Sequence, residues 1–155
     1  MSLPAGSGPR HLVFSHDGRF AYCATELSNT VCVLEYQKGK LKYLYSVSTL
    51  PKNCQDISNC GGIRLSKDNR KLYVSNRGHN SISVFAVDGE LISLQGHIPS
   101  GGESPRDFCL TGKFLIVGND LSNNVAVFDI STELPQEPIF TYPSARPWCL
   151  LPVQT

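Results

Sequence analysis

The chain is short of the features that most often give a function away. Its 155 residues include one Met and one Trp, and 14 Lys and Arg against 13 Asp and Glu leave a net charge of only +1. The basic residues are scattered, so there is no electrostatic footprint for nucleic acid or for an anionic membrane. No apolar run approaches the ~20 residues of a membrane span. The opening "MSLPAGSGPR" has neither a charged n-region nor an apolar h-region, which predicts no signal peptide. No Asn-x-Ser/Thr acceptor occurs, and no Gly-x-Ser-x-Gly elbow that would support a Ser-His-Asp hydrolase. A long apolar stripe at helical spacing is missing too, which argues against helices.

Cysteine is present six times, at Cys23, Cys32, Cys54, Cys60, Cys109 and Cys149, but never as Cys-x-x-Cys. With no export signal, these read as reduced thiols of a cytoplasmic protein. Cys23, Cys32 and Cys109 stand in apolar runs and are expected to be small buried hydrophobes. Cys54 and Cys60 lie in a loop-like segment. Their spacing matches no common zinc pattern, so no metal site is expected there.

What the chain does have is a repeat. "SHDGRFAYCATELSNTVCVLEY" from Ser15, "SKDNRKLYVSNRGHNSISVFAV" from Ser66 and the shorter "TGKFLIVGNDLSNNVAVFDI" from Thr111 share one plan. Each runs polar turn, apolar run, Asn-containing turn, alternating run. Glu26, Arg77 and Asp120 fall at equivalent places, 51 and then 43 residues apart. A period of this length signals a repeat architecture. "TVCVLEY", "SISVFAV" and "NVAVFDI" alternate and are rich in β-branched and aromatic residues, so the repeat is made of strands. In the first unit these are expected near His11–Ser15, Phe20–Thr25, Thr30–Tyr36 and Leu41–Thr49, with turns such as "HDGR", "QKGK" and "VDGE" between strands. Four antiparallel strands in roughly 45 residues is the blade of a β-propeller. The predicted fold is therefore all-β, with blades at about 8–58, 59–103 and 104–145 and an inner strand of a fourth at 146–155. "GPRH", "SPRD" and "RPWC" mark the starts of inner strands, and Trp148 and Cys149 are expected to begin the last one. Propellers close with roughly four to eight blades. The chain is thus expected to be the C-terminal part of a longer propeller, or a half that pairs with another chain, with self-association through its open blade edges as one outcome.

Strand parity places the polar residues. If the first strand of a blade descends, the turn after its second strand and the lead into the next blade lie at the same end. Arg10, His11, Glu26, Arg77, His79, Asn80, Arg106 and Asp120 then gather at one mouth, and the glycine turns fall at the other. Three arginines, two histidines and the Glu26 carboxylate make a site for an anionic ligand, because guanidinium forks match carboxylate and phosphate. Asp120 serves equally as a shaper of its "NDLSNN" turn. The segment "LPKNCQDISNCGG" is longer than its counterparts and reads as a lid at the mouth or as a loop of tolerated length. His16 and His97 are expected in solvent or at the opposite end, and "TELPQEP" as an irregular link.

At these residues the sequence resembles a known family. "GPRHLVFSHDGRFAYCATELSNTV", "YVSNRGHNSISVF" and "SGGESPRDF" are similar to the seven-bladed propeller lactonases, which include propeller-type 6-phosphogluconolactonases and carboxymuconate cyclising enzymes. The likeness runs from about Gly8 to Val153 and covers the C-terminal portion of that family. It implies a catalytic set of Arg10, Glu26 and Arg77, with a further family histidine in an earlier blade; His11, His79, Asn80 and Arg106, placed at the same mouth, are expected as substrate-binding residues. It implies a small anionic lactone as ligand, with no cofactor, no metal, no nucleic acid and no membrane. The expected reaction of the full-length protein is hydrolysis of 6-phosphogluconolactone to 6-phosphogluconate. The alternatives are a muconate-lactone cyclising enzyme, a non-catalytic binding propeller and an inactive fragment.

Overall fold

A computed structural model describes residues 2–152. Among them there is no helix long and apolar enough to cross a membrane. They form twelve strands in three four-stranded sheets. The first sheet holds β1 (Pro9–Phe14), β2 (Phe20–Thr25), β3 (Thr30–Gln37) and β4 (Lys40–Ser48). The second holds β5 (Asn59–Leu65), β6 (Lys71–Arg77), β7 (Ser81–Asp88) and β8 (Leu91–Pro99). The third holds β9 (Pro105–Thr111), β10 (Phe114–Asn119), β11 (Asn124–Asp129) and β12 (Phe140–Pro143). Within every sheet, strands pair antiparallel in chain order, the pattern of propeller blades.

The blades stack face to face. Tyr22, Val31 and Val33 of the first meet Ile63, Leu72 and Phe85 of the second in one buried cluster. Tyr73, Ile82 and Val84 of the second meet Phe108, Leu115 and Phe128 of the third in another. Alternation along each strand supplies both layers, because successive side chains face opposite neighbours. The flank of the first blade shows the same pattern without a blade to cover it: Ala21, Cys23, Cys32 and Leu34 pack instead against Leu3, Leu41 and Tyr43. A groove of about 390 Å³ remains there beside Leu12 and Cys23.

One asparagine per blade ties the repeat together. Asn29, Asn80 and Asn123 take left-handed backbone conformations, with φ of 52°, 55° and 51°. Asparagine tolerates that region better than most residues. The carbonyl of each accepts the first amide after its own outer strand, from Thr49, Ser100 and Ser144, each at 2.9 Å. Each side chain reaches the lead of the next blade: Asn29 Nδ2 donates to Ser58 O at 2.7 Å, and Asn80 Oδ1 and Asn123 Oδ1 accept from Ser104 N and Arg146 N at 2.8 and 3.1 Å.

Three expectations change. Residues 146–152 pair into no sheet, because the second strand they would join is not in the chain; the remainder of the expected inner strand lies outside the described residues. This segment is held by polar contacts instead, with Leu150 N donating to Asp107 Oδ2 at 3.0 Å and Trp148 Nε1 to Asp120 Oδ1 at 2.7 Å. Cys60 is not in a loop but in β5, fully buried, and burial pushes its thiol up to about 11. His97 does not lie at the far end. It sits near the close of β8, which returns to the end where β6 finishes, and its Nε2 is 2.8 Å from Thr49 O.

Candidate active site

The backbone of Glu26 is fixed before its side chain does anything. Its N–H donates to Gly8 O at 2.7 Å, and its carbonyl accepts from Cys60 N and Asn59 Nδ2, both at 3.2 Å. The residue is thereby clamped between the lead of its own blade and the inner strand of the next. From there its carboxylate meets two arginines. Arg77 Nη2 donates to Glu26 Oε1, and Arg10 Nε lies 3.7 Å from Glu26 Oε2. Arg77 comes from the end of β6, the place in the second blade that Glu26 holds in the first.

The inner strand β5 completes the cradle. Its pairing with β6 shifts register between Cys60 and Ile63, where Gly61 and Gly62 sit. The bulge turns carbonyls toward the guanidinium groups: Arg77 Nη2 donates to Cys60 O at 3.1 Å and Arg10 Nη1 to Gly61 O at 3.0 Å. Glycine is required at 61, since a Cβ there would stand 2.4 Å from Ser75 Oγ and 2.8 Å from Pro105 O. Charge-assisted bonds of this kind are among the stronger ones in proteins.

The electrostatics follow. The two arginine side chains are 18% and 17% exposed and Glu26 is 36% exposed, so the carboxylate forms the open edge of the cluster. Its pKa is lowered, first by the hydrogen bond from Arg77 and then by the charges of Arg77, Arg10 and Arg106 against the opposing effect of burial. Arg10 is lowered by burial and then by Arg77. His11, its outer edge exposed, is lowered by partial burial and then by Arg10, whose Nη1 is 3.1 and 3.2 Å from the two ring nitrogens. Arg106 lies over the Trp148 ring at 5.5 Å and acts through its charge on Glu26 and Arg10. Three guanidinium groups against one carboxylate leave excess positive charge. Arg77 Nε is buried with no hydrogen-bond partner among the described residues.

Arg10, His11, Glu26, Arg77 and Arg106 therefore come together, and His79 and Asn80 do not join them. Asn80 is occupied as a blade clip, accepting from Gly78 N at 3.2 Å as well as from Ser104 N. His79 turns toward the outer strands: its Nδ1 is 2.7 Å from Ser81 Oγ and its ring is 5.3 Å from that of His97. Asp120, the third equivalent of Glu26, binds the Trp148 indole. Sequence reasoning passes over Gly61, Arg64 and Asp107. Arg64 Nη2 bonds Asp107 Oδ1 at 2.8 Å beside the cluster, and the charges of both act on His11. The "CGG" run was the available signal for the bulge.

Comparison with known proteins identifies the family of the fold. The family described as "Lactonase, 7-bladed beta-propeller" matches residues 1–136. A 6-phosphogluconolactonase from Formosa agariphila is 40% identical over 149 residues, covering 88% of this chain and 42% of the relative. A periplasmic gluconolactonase from Pseudomonas aeruginosa superposes with a TM-score of 0.88 at 34% identity, over 94% of this chain and 42% of that one. A protein from Lactobacillus plantarum gives 0.86 at 36% identity, over 94% and 44%. The chain thus spans less than half the length of each of these relatives. With three propeller blades, an arginine–glutamate cluster at one mouth and this match, the chain belongs to the seven-bladed β-propeller lactonase family.

Proposed function

We propose that, within a complete propeller, this chain supplies half of the active site for hydrolysis of 6-phosphogluconolactone to 6-phosphogluconate. The observation that carries the reading is the Arg10–Glu26–Arg77 cluster with its excess positive charge. A phosphorylated lactone is an anion that gains a second negative centre as water adds to its carbonyl. Arg77 and Arg10 stabilise that oxyanion through their guanidinium charge. Arg106 faces the phosphate. The water attacks the carbonyl carbon, the ring C–O bond breaks, the water's proton leaves through Glu26, and the released alkoxide takes up a proton to give the open acid. A carboxylate held low by an arginine is a weak base, so in this scheme Glu26 chiefly orients the water and takes its proton as substrate draws Arg77 toward the oxyanion. With this substrate the protein serves the oxidative pentose phosphate route in the cytoplasm, and the open flanks of the blades are closed by further blades, from a longer chain or a second copy.

The Pseudomonas relative gives a second reading, hydrolysis of unphosphorylated gluconolactone. The two separate on one assay, hydrolysis of each lactone coupled to a dehydrogenase that detects the acid. The first reading expects turnover of the phosphorylated lactone that Arg77→Ala lowers about 100-fold or more, with the β-sheet circular dichroism unchanged. Turnover unaffected by Arg77→Ala sinks the assignment, and preference for the unphosphorylated lactone favours the second reading.

A further inference from the structure

Two features singled out in the sequence have no part in the arginine–glutamate cluster: the long segment between the first two blades and His79. The fold puts them against each other. Cys54, Asp56 and His79 each present one ligand atom, and the three atoms lie within 4.8 Å of one another. Cys54 Sγ is 3.5 Å from Asp56 Oδ2.

The arrangement is held from both sides. Cys54 N closes a turn onto Pro51 O at 3.2 Å, and Asn29 Nδ2 holds Ser58 O at the far end of the segment. The segment also presses on the turn that carries His79. Gly78 has a φ of +110°, and a Cβ there would stand 2.0 Å from Ile57 O, so only glycine lets the two backbones approach this closely. Ser81 Oγ occupies His79 Nδ1, which leaves Nε2 as the nitrogen free to ligate. A hydrogen bond on the second ring nitrogen is the usual support of a metal-binding imidazole.

We propose that Cys54, Asp56 and His79 form a Zn²⁺ site that pins the inter-blade segment to the turn between β6 and β7. Sulfur, nitrogen and oxygen donors together suit a borderline-soft ion of tetrahedral habit, with water as the fourth ligand. The Cys54 proton leaves as the Sγ–Zn bond forms, and thiolate and carboxylate balance the dication. The ligands come from two separate stretches of chain, so no zinc-like spacing is visible in the sequence. The site stands apart from the proposed lactone chemistry and does not depend on it.

The test is titration of the metal-stripped 155-residue chain with Co²⁺, followed by displacement with Zn²⁺. The expected result is saturation at one equivalent, with a near-ultraviolet thiolate-to-cobalt band and the intense visible bands of tetrahedral cobalt. Cys54→Ser abolishes the thiolate band. Ser81→Ala weakens binding by roughly 10- to 100-fold, and His79→Gln weakens it further. Cys149→Ser, which removes an exposed thiol elsewhere, changes nothing. Absence of the band at stoichiometric cobalt, its survival in Cys54→Ser or its loss in Cys149→Ser overturns the site.

Discussion

The two ends of the blades hold carboxylates low in different ways. At the end with the glycine turns, Asp17 accepts from Ser15 Oγ at 2.6 Å and from Arg19 N at 3.0 Å, and Asp68 does the same with Ser66 and Arg70. Their pKa values are lowered first by those hydroxyls, two residues away in sequence. At the other end Glu26 is lowered first by Arg77, which arrives from the next blade. The first kind of satisfaction is complete within one turn. The second exists only after blades stack, and its partners can be redirected to a ligand. A self-contained carboxylate is scaffold; one held across blades is where binding can do work.

The largest expected effect separates the two ends directly. If the proposed lactone hydrolysis holds in the complete propeller, Glu26→Gln, which keeps the shape and removes the charge, should lower kcat/KM about 100-fold or more. Asp68→Asn should leave kcat/KM where it was. Equal losses from the two would erase the distinction. Next in size is the blade clip. Asn80→Ala removes the side-chain acceptor and forces a Cβ-bearing residue without Asn's local bonding into the left-handed region, a cost of about 2 kcal/mol in denaturant unfolding. Asn80→Gly, which relieves the backbone but still lacks the acceptor, should cost about 1 kcal/mol.

Acid titration sharpens the comparison further. A depressed carboxylate contributes stability that is fully present above its ordinary value, 4.5 for Glu26, and is lost as pH falls through its folded value. Below pH 4.5 the melting temperature should therefore fall less steeply in Glu26→Gln than in the parent chain. High salt should shrink the difference, as expected for partly exposed charges. The smallest effect is chemical. Exposed Cys149 and half-buried Cys54 should alkylate first by mass spectrometry, with Cys23, Cys32, Cys60 and Cys109 slow because they are buried and their thiols raised.

Much of the fold is legible in the residues, because alternation and turn chemistry act locally. "FAYCAT" and "TVCVLEYQ" pair in the order their pattern predicts, and the repeat period gives three blades. Strand parity is enough to bring Arg10, Glu26 and Arg77 to one mouth. It does not say which way a side chain turns once there, and so His79, four residues from Ser75 and next to Asn80, faces the outer strands and not the arginines. Parity applied to β8, a fourth strand that returns to the mouth, puts His97 at that end, against the expectation of solvent or the opposite end. The "CGG" run signals the bulge, but the close approach of Pro105 and Arg106 from the third blade, which makes glycine necessary at Gly61, is a contact no local pattern encodes. Residues 146–152 carry strand-like sequence and form none, since a strand needs a neighbour as well as a propensity.

The asparagine clips have a direction. Asn29, Asn80 and Asn123 each wait for residues that come later in the chain, so a blade is sealed only once the first few residues of its successor exist. On a growing polypeptide each clip can close only after the first residues of the next blade have been made. It also means that removing the chain after Pro143 would leave all twelve strands present yet unlatch the third blade, because Ser144 and Arg146 leave Asn123 and the Trp148 and Leu150 contacts to Asp120 and Asp107 go with them.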